Sequence, residues 1–475
     1  MYWWIGAAAV IALFIGIGLV LAPRGEARRG RGRSPDALPE HVSRRRSYTI
    51  AAVLLVLATT AFAYYHWPQL AYSIWMVPVI IVSFVWMVFL LLSAHTNQVY
   101  IEDPPTRLRT TVVIPVFNED PATLALVLES ISAQTQTPDV VFVVEDGSHE
   151  DFECRAVFEE WAERSAAPAG ILARYHYQAN AGKREAQAVA FRAFMDRTDI
   201  FVTIDSDTVL DPLAIRQGLK PFADERVMSV AGLLLDLNRA KWKVRVIGLG
   251  FVSSFTNGRA AWSAWKSVAV NCGGLAFYRT EVIRENLIDY LSQRVFGSIA
   301  RFGDDRMLAQ FAGLHGRTVF QETAAAYTLM PERLGHLTRQ RIRWWKSFWW
   351  GGLWLLRKQS PFRAVWWLVL SQYVTFVLNA IVFPAAVLIY PIIHQQFPWQ
   401  MIVYVLLLSY VRTARTLVVR RPDVSGLRQV LEFIVLAPIS TLFTLYLGTV
   451  LQYWALFTLG SSSWGTRKRV EVALS

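Results

Sequence analysis

Apolar sequence is packed into the two ends of this chain, and that segregation limits its fold more than any other feature. Residues 1–22 and 48–96 on one side, and 362–460 on the other, are dominated by aliphatic and aromatic side chains. A bilayer span needs about 20 such residues, wound so that every backbone N–H and C=O is satisfied within the helix. Tyr2–Leu21 has that length and no basic stretch before it, so it reads as a retained helix rather than a cleaved leader. Residues 23–47 form a linker rich in Arg, Gly and Pro. Ser47–Trp67 and Leu70–Leu92 then read as a hairpin turned at His66-Trp67-Pro68. Beyond the middle region, Phe362–Pro391 and Pro398–Val419 read as two further spans. Leu431–Leu459 has basic residues at both ends, which predicts a hairpin or re-entrant segment broken near Pro438.

Charge follows the same division. The net charge is +12, but the basic residues cluster beside apolar spans, at Arg24–Arg46, Arg412–Arg421 and Arg467–Arg469. That is the positive-inside pattern of a multi-pass inner-membrane protein, and it argues against a nucleic-acid partner, which would gather the bases on one domain. A content of 54% hydrophobic residues with 19 Trp points the same way. Cys154 and Cys272 have no metal-ligand spacing and predict no disulfide framework in a reducing cytoplasm.

Between the ends, residues 97–335 read as one cytoplasmic domain. Short β-rich runs at Thr110–Val116, Val140–Val144, Ile200–Ile204 and Val227–Leu235 alternate with amphipathic stretches, predicting βαβ units and a largely parallel sheet. Such sheets bind ligands at the carboxyl ends of their strands. Asn118-Glu119-Asp120, Glu145-Asp146-Gly147-Ser148 and Asp205-Ser206-Asp207 fall there. Residues 336–361, with a run of Trp, read as an interfacial helix, or as the first turn of a spanning one.

These residue types suit transfer of a sugar from a nucleotide diphosphate. In Asp205-Ser206-Asp207 one carboxylate can ligate Mg²⁺ or Mn²⁺ and the other contact the nucleotide, although Asp-x-Asp is also a common surface turn. Gly303-Asp304-Asp305-Arg306 offers two carboxylates beside an arginine, one able to act as general base; Asp304 can equally cap the helix that follows. Asn180-Ala181-Gly182-Lys183-Arg184 opens a helix and suits a diphosphate, or is a solvated basic turn. Asp146 can bond a ribose or base edge, or belong to an Asp-Gly turn. In Gln340-x-x-Arg343-Trp344, the indole can seat a pyranose ring and Arg343 can pair with a phosphate oxygen, while Trp345, Trp349 and Trp350 read as membrane anchors.

Together, in this order, the motifs TVVIPVFNE, VVEDGS, NAGKR, TIDSDT, GDDR, QRIRW and the terminal Trp464-Gly465-Thr466-Arg467 resemble the membrane-integrated, processive family-2 glycosyltransferases. Among these they are most similar to the bacterial class I hyaluronan synthases. The resemblance runs from Thr110 to Arg469. It implies a GT-A (Rossmann-like) α/β domain inserted between transmembrane and interfacial helices, and inverting transfer from UDP-sugars with Mn²⁺ or Mg²⁺. The growing polysaccharide and membrane lipids are the other implied partners. It further implies Asn118, Glu119 and Asp205 at the nucleotide, Asp207 at the metal and Asp305 as base beside Asp304. Gln340, Trp344, Arg306, Cys272 and Gly273 are implied at the acceptor end, and Trp464 and Arg467, in the tail of residues 461–475, near the bound nucleotide. The chain departs from the family at Asn271-Cys272-Gly273-Gly274, where the synthases usually carry Cys-Ser-Gly-Pro. Sugar identity is therefore the finer expectation: hyaluronan first, then a chitin-like or other β-glycan, or a non-processive transfer to a lipid carrier.

Overall fold

A computed structural model describes residues 76–149, 154–300, 302–385, 389–395, 406, 408–419 and 421–460. The expected spans at Tyr2–Leu21 and Ser47–Trp67, and the basic linker, lie outside the described residues. The chain divides into two compact units, one of residues 98–244, 262–367 and 450–475, the other of residues 1–97, 245–261 and 368–449. In chain order the helices are α1 (Met76–His95), α2 (Pro121–Ser132), α3 (Cys154–Trp161), α4 (Lys183–Phe194), α5 (Ala214–Leu219), α6 (Trp242–Ser253) and α7 (Ala260–Ala264). They continue with α8 (Thr280–Ser292), α9 (Asp304–His315), α10 (Leu334–Lys358), α11 (Ala364–Pro384), α12 (Tyr390–His394) and α13 (Gly426–Phe457).

The first unit is built on an eight-stranded sheet. Its strands are β1 (Thr110–Val116), β2 (Val140–Asp146), β3 (Leu172–Gln178), β4 (Ile200–Thr203), β5 (Thr208–Leu210), β6 (Val227–Asp236) and β7 (Ala276–Arg279). A separate two-residue hairpin, β8 (Arg294–Val295) and β9 (Ser298–Ile299), precedes the last sheet strand, β10 (Arg317–Thr328). The order across the sheet is β3-β2-β1-β4-β7-β6-β10-β5. β3, β2, β1 and β4 are parallel, as expected, with Thr111 opposite Val140 and Phe201. The sheet as a whole is mixed rather than largely parallel, because β7 runs antiparallel to both neighbours and β5 antiparallel to β10. After β6 the chain makes a helical excursion through α6 and α7 and re-enters with Ala276 opposite Ala231, running back to set Tyr278 opposite Ser229. β6 and β10 keep the direction of β1, which puts the carboxyl ends of β1, β2, β4, β6 and β10 on one side.

Local sequence explains the elements that carry that edge. α2 starts where the Asp120 carboxylate accepts from Thr123 N at 3.0 Å, with Pro121 at the first helical position. Its Leu124, Val127, Leu128 and Ile131 recur at helical spacing and are buried. α4, α8 and α9 share one core with the sheet, in which Phe191 meets Phe201 edge-on at 5.0 Å and Phe311, Tyr278 and Tyr290 are enclosed. Such an aromatic pair contributes about 0.5–1.5 kcal/mol beyond its buried area.

In the second unit, Leu91, Val411, Val430 and Phe433 form a separate apolar cluster. Arg415, in the basic cluster Arg412–Arg421 beside an apolar span, is fully buried here. Its guanidinium donates to Thr256 O at 2.8 Å, within the π-helical turn Ser254–Arg259, and to Ala94 O at 3.1 Å, one of the carbonyls that the end of α1 leaves open. The expected break near Pro438 is also absent: α13 runs continuously for 32 residues through it. A proline leaves the carbonyl four residues earlier without its N–H. That carbonyl, Ile434 O, accepts instead from the Tyr410 hydroxyl at 3.0 Å, so the helix continues. Among the described residues, α13 is the one helix long and apolar enough to cross a bilayer. α10 is a helix in its own right, separated from α11 by residues 359–363.

Candidate active site

Loops from the carboxyl ends of β1, β2 and β4 are knitted together by the residues that end them. Asn118 is left-handed, with φ 46°; its N–H donates to Ser148 Oγ at 2.9 Å, and its Oδ1 accepts from His149 N at 3.0 Å. Glu119 is buried and accepts from Ser206 Oγ at 2.6 Å, which fixes the Asp205–Asp207 turn against β1. The Asp146 carboxylate receives three donors: Gln178 Nε2 at 2.7 Å, and the N–H groups of Ala181 and Gly182, both at 2.8 Å. It thereby shapes the loop that opens α4. Gly147 makes this approach possible, since its φ is +71° and a Cβ there would lie 2.5 Å from Asn180 N.

Lys183 lies at the centre. Its ammonium donates to Asp205 Oδ1 at 2.6 Å and pairs with Asp304 Oδ2 at 3.0 Å, joining the start of α4, the turn after β4 and the first turn of α9. Burial alone would lower the Lys183 pKa, but the two carboxylates outweigh it and hold the group well above the usual lysine range. For Asp304, burial pushes upward and the charge of Lys183 prevails, so its carboxyl sits below the usual range. Arg184, next in sequence, turns inward. Its guanidinium donates to Tyr290 O at 2.9 Å, Gln293 Oε1 at 3.0 Å and Phe302 O at 2.6 Å, and so positions the approach to Gly303.

Gly303, at φ 69°, is the residue that caps α9, and Asp304 and Asp305 occupy the first turn. Asp304 is thus inside the helix rather than at its cap. The two carboxylates have separate surroundings: Asp304 is buried against Lys183, whereas Asp305 is half-exposed and accepts from Arg306 N at 2.8 Å. Arg306 Nε donates to Ser347 Oγ on α10 at 3.1 Å. A Cβ on Gly303 would come within 2.3 Å of that Oγ, and one on Gly351 within 2.5 Å of Arg306 Cδ, so these glycines let α9 seat on α10. Gln340, Arg343 and Trp344 share the helical face that carries Ser347 and Gly351. Gln340 and Arg343 are half-buried; Trp344 is 40% exposed, with the Arg341 guanidinium over its ring at 4.5 Å.

On the other side of the Asp205–Asp207 turn, Asp207 Oδ1 accepts from the hydroxyls of Thr208 at 3.4 Å and Thr328 at 3.3 Å. Cys272 is buried, its Sγ bonding Leu275 O at 3.2 Å and Gly232 O at 3.6 Å. Gly273 brings bare main chain to the lysine: a Cβ there would lie 2.9 Å from Asp205 Oδ2 and 3.0 Å from Lys183 Nζ. Trp464 and Arg467 lie outside the described residues. Leu459, just before them, packs with Phe302, Val295 and Trp349. Asp205 and Asp207 offer oxygen donors suited to a hard divalent cation. Among the described residues no group of three or more His, Cys, Asp or Glu side chains is gathered for a metal, so such an ion would need oxygens from substrate and water. Ser206, Ser347 and Thr328 went unread in the sequence; only Ser347 left a signal, its helical spacing from Gln340 and Trp344.

Residues 105–347 match the profile of the family described as "Glycosyltransferase like family 2". A hyaluronan synthase of Streptococcus pyogenes is 31% identical over 374 residues, which is 78% of this chain and 85% of that protein. An N-acetylglucosaminyltransferase of Mesorhizobium japonicum is 34% identical over 242 residues, or 50% of this chain and 55% of the relative. Among solved structures, a mannosyltransferase of Pyrobaculum calidifontis in complex with GDP-Man and Mn²⁺ aligns with 82% of this chain and 99% of its own, at 17% identity and a TM-score of 0.49.

Proposed function

The chain belongs to glycosyltransferase family 2, with a GT-A-like mixed sheet, and from that premise we propose that it polymerises UDP-sugars into a polysaccharide, most nearly as a hyaluronan synthase does. The observation that carries this reading is the meeting of Lys183, Asp205 and Asp304 at one end of the sheet, with Asp305 next to Asp304 in the first turn of α9. In the proposed reaction an acceptor hydroxyl attacks the anomeric carbon from the face opposite the leaving group. The new C–O bond forms as the bond to the diphosphate breaks, and the hydroxyl proton passes to Asp305. Asp205 orients the nucleotide and Asp207 would hold the Mn²⁺ or Mg²⁺, which when bound neutralises charge on the departing diphosphate. Arg343 pairs with phosphate, Trp344 seats an acceptor ring with Gln340 beside it, and Trp464 and Arg467, outside the described residues, are assigned to the nucleotide.

Processive extension and export through the chain's own helices belong to the same proposal, as do a multi-pass inner-membrane location and a cytoplasmic catalytic domain. α13 and the apolar ends of the sequence support the membrane part. The alternative, a homopolymer of N-acetylglucosamine, is favoured by the likeness to N-acetylglucosaminyltransferases. Purified protein in detergent with Mn²⁺, given UDP-GlcNAc, UDP-GlcA, both, or UDP-Glc, separates these readings. High-molecular-weight product is expected only with the first two together, and it should disappear on hyaluronidase treatment. Product from UDP-GlcNAc alone would instead make the chain a homopolymer synthase.

The metal assignment has its own test. Asp207→Ala is expected to remove the gain in UDP affinity that Mn²⁺ provides, because the ion would lose the carboxylate assigned to hold it. Titration calorimetry of UDP with and without Mn²⁺ reads this directly. Equal metal dependence in parent and variant would leave Asp207 a structural role, accepting from Thr208 and Thr328.

A further inference from the structure

One ammonium group serves two carboxylates here, and those carboxylates belong to segments given different tasks. Lys183 is the first residue of α4; Asp205 lies in the nucleotide-facing turn after β4; Asp304 opens the helix that carries the base. The group is enclosed, with 17% of the lysine side chain and 11% of that of Asp304 accessible. Gly273 closes one side with main chain that comes close to both Lys183 and Asp205. Asp205 is the more open partner, at 35%. Two carboxylates this close need a positive charge between them. A divalent ion bridging a diphosphate at this turn would supply charge to the same Asp205 that the lysine already neutralises.

We propose that Lys183 is a resident cation of the site: it balances Asp205 and Asp304 when no nucleotide is present, then yields Asp205 to the incoming metal and diphosphate while keeping Asp304. The proposal rests on the reading that Asp205 faces the nucleotide and Asp207 the metal. Lys183 then competes with a free divalent ion, yet favours the complete metal–diphosphate, because its displaced ammonium gains a phosphate oxygen. It is a positioning residue, acting through the two carboxylates.

The competition predicts changes of opposite sign. Lys183→Met keeps the length of the stem and removes the charge. Binding of Mn²⁺ alone, followed by the electron paramagnetic resonance of the free ion over purified full-length protein in detergent, should tighten by about tenfold, the equivalent of about 1.4 kcal/mol. UDP affinity in saturating Mn²⁺ should weaken by a similar factor. Lys183→Arg keeps the charge and should bind Mn²⁺ alone no more tightly than the parent. The melting temperature of each variant is measured alongside, and Lys183→Arg serves if the methionine variant fails to fold. Unchanged or weakened Mn²⁺ binding in Lys183→Met, or tightened binding in Lys183→Arg, overturns the proposal. Asp205→Asn in the parent chain isolates the premise: unchanged UDP affinity there would show that Asp205 does not face the nucleotide, whatever the lysine variants do.

Discussion

Asp305→Asn is expected to lower turnover by about 10²–10⁴-fold, the usual consequence of removing a general base. An amide has nearly the shape of the carboxylate and its oxygen can still accept from Arg306 N, the bond made at 2.8 Å in the parent. The start of α9, and with it the fold of the site, is therefore retained, and UDP affinity should stay near the parent value. Asp304 cannot take over, because it is buried against Lys183 and its carboxyl is held below the usual range. Asp304→Asn should behave differently, losing nucleotide affinity together with rate, since it takes away one of the two partners of the lysine. UDP release under saturating donor, set beside calorimetric UDP titration, separates the two. Near-normal turnover in Asp305→Asn would place the base elsewhere.

Arg184→Met is expected to show its effect in stability first. The side chain is 6% exposed and bonds Tyr290 O, Gln293 Oε1 and Phe302 O. Methionine fills much of the volume but leaves those acceptors without a donor, at about 1–3 kcal/mol for each buried group. A total loss of roughly 3–9 kcal/mol is a large part of the about 5–15 kcal/mol that holds a typical domain together. Arg184→Lys should recover little, because one ammonium cannot reproduce the planar fork that reaches several carbonyls. Thermal unfolding in detergent measures the loss. An unchanged melting temperature with UDP binding abolished would return Arg184 to the phosphate role that its place in Asn180–Arg184 suggests.

The strands were legible because they are buried and apolar along their length: Thr110–Val116 is observed with the bounds read from sequence, and Val140–Val144 extends only to Asp146. Strand direction was not legible at β7, since it depends on where the chain re-enters the sheet and not on the composition of Ala276–Arg279. The acidic elements were visible as carboxylates after strand ends. What each side chain does there was less so: Glu119 and Asp146 hold neighbouring loops through Ser206, Ala181 and Gly182, and nothing in a carboxylate's sequence position tells an inward bond from an outward one. Pro438 misled for a similar reason. The hydroxyl that compensates for it belongs to Tyr410, 24 residues before Ile434, and no local pattern announces that contact.

The grip of Arg184 on Phe302 also sets an order in time. The two residues are 118 positions apart, and a ribosome adding about 5–20 residues per second needs roughly 6–24 s to make the second after the first. Once Asp207 is made, early in that interval, β1, β2 and β4 can pair and the Asp205–Asp207 turn can close on Glu119, but Lys183 still waits for Asp304, and the guanidinium keeps its water until Tyr290 and then Phe302 arrive. The Asp205–Asp207 turn is thus in place while the base side, and Arg343 beyond it, are still being synthesised. A nascent chain stalled short of Gly303 would hold the turn for a sugar nucleotide without the carboxylates that turn it over.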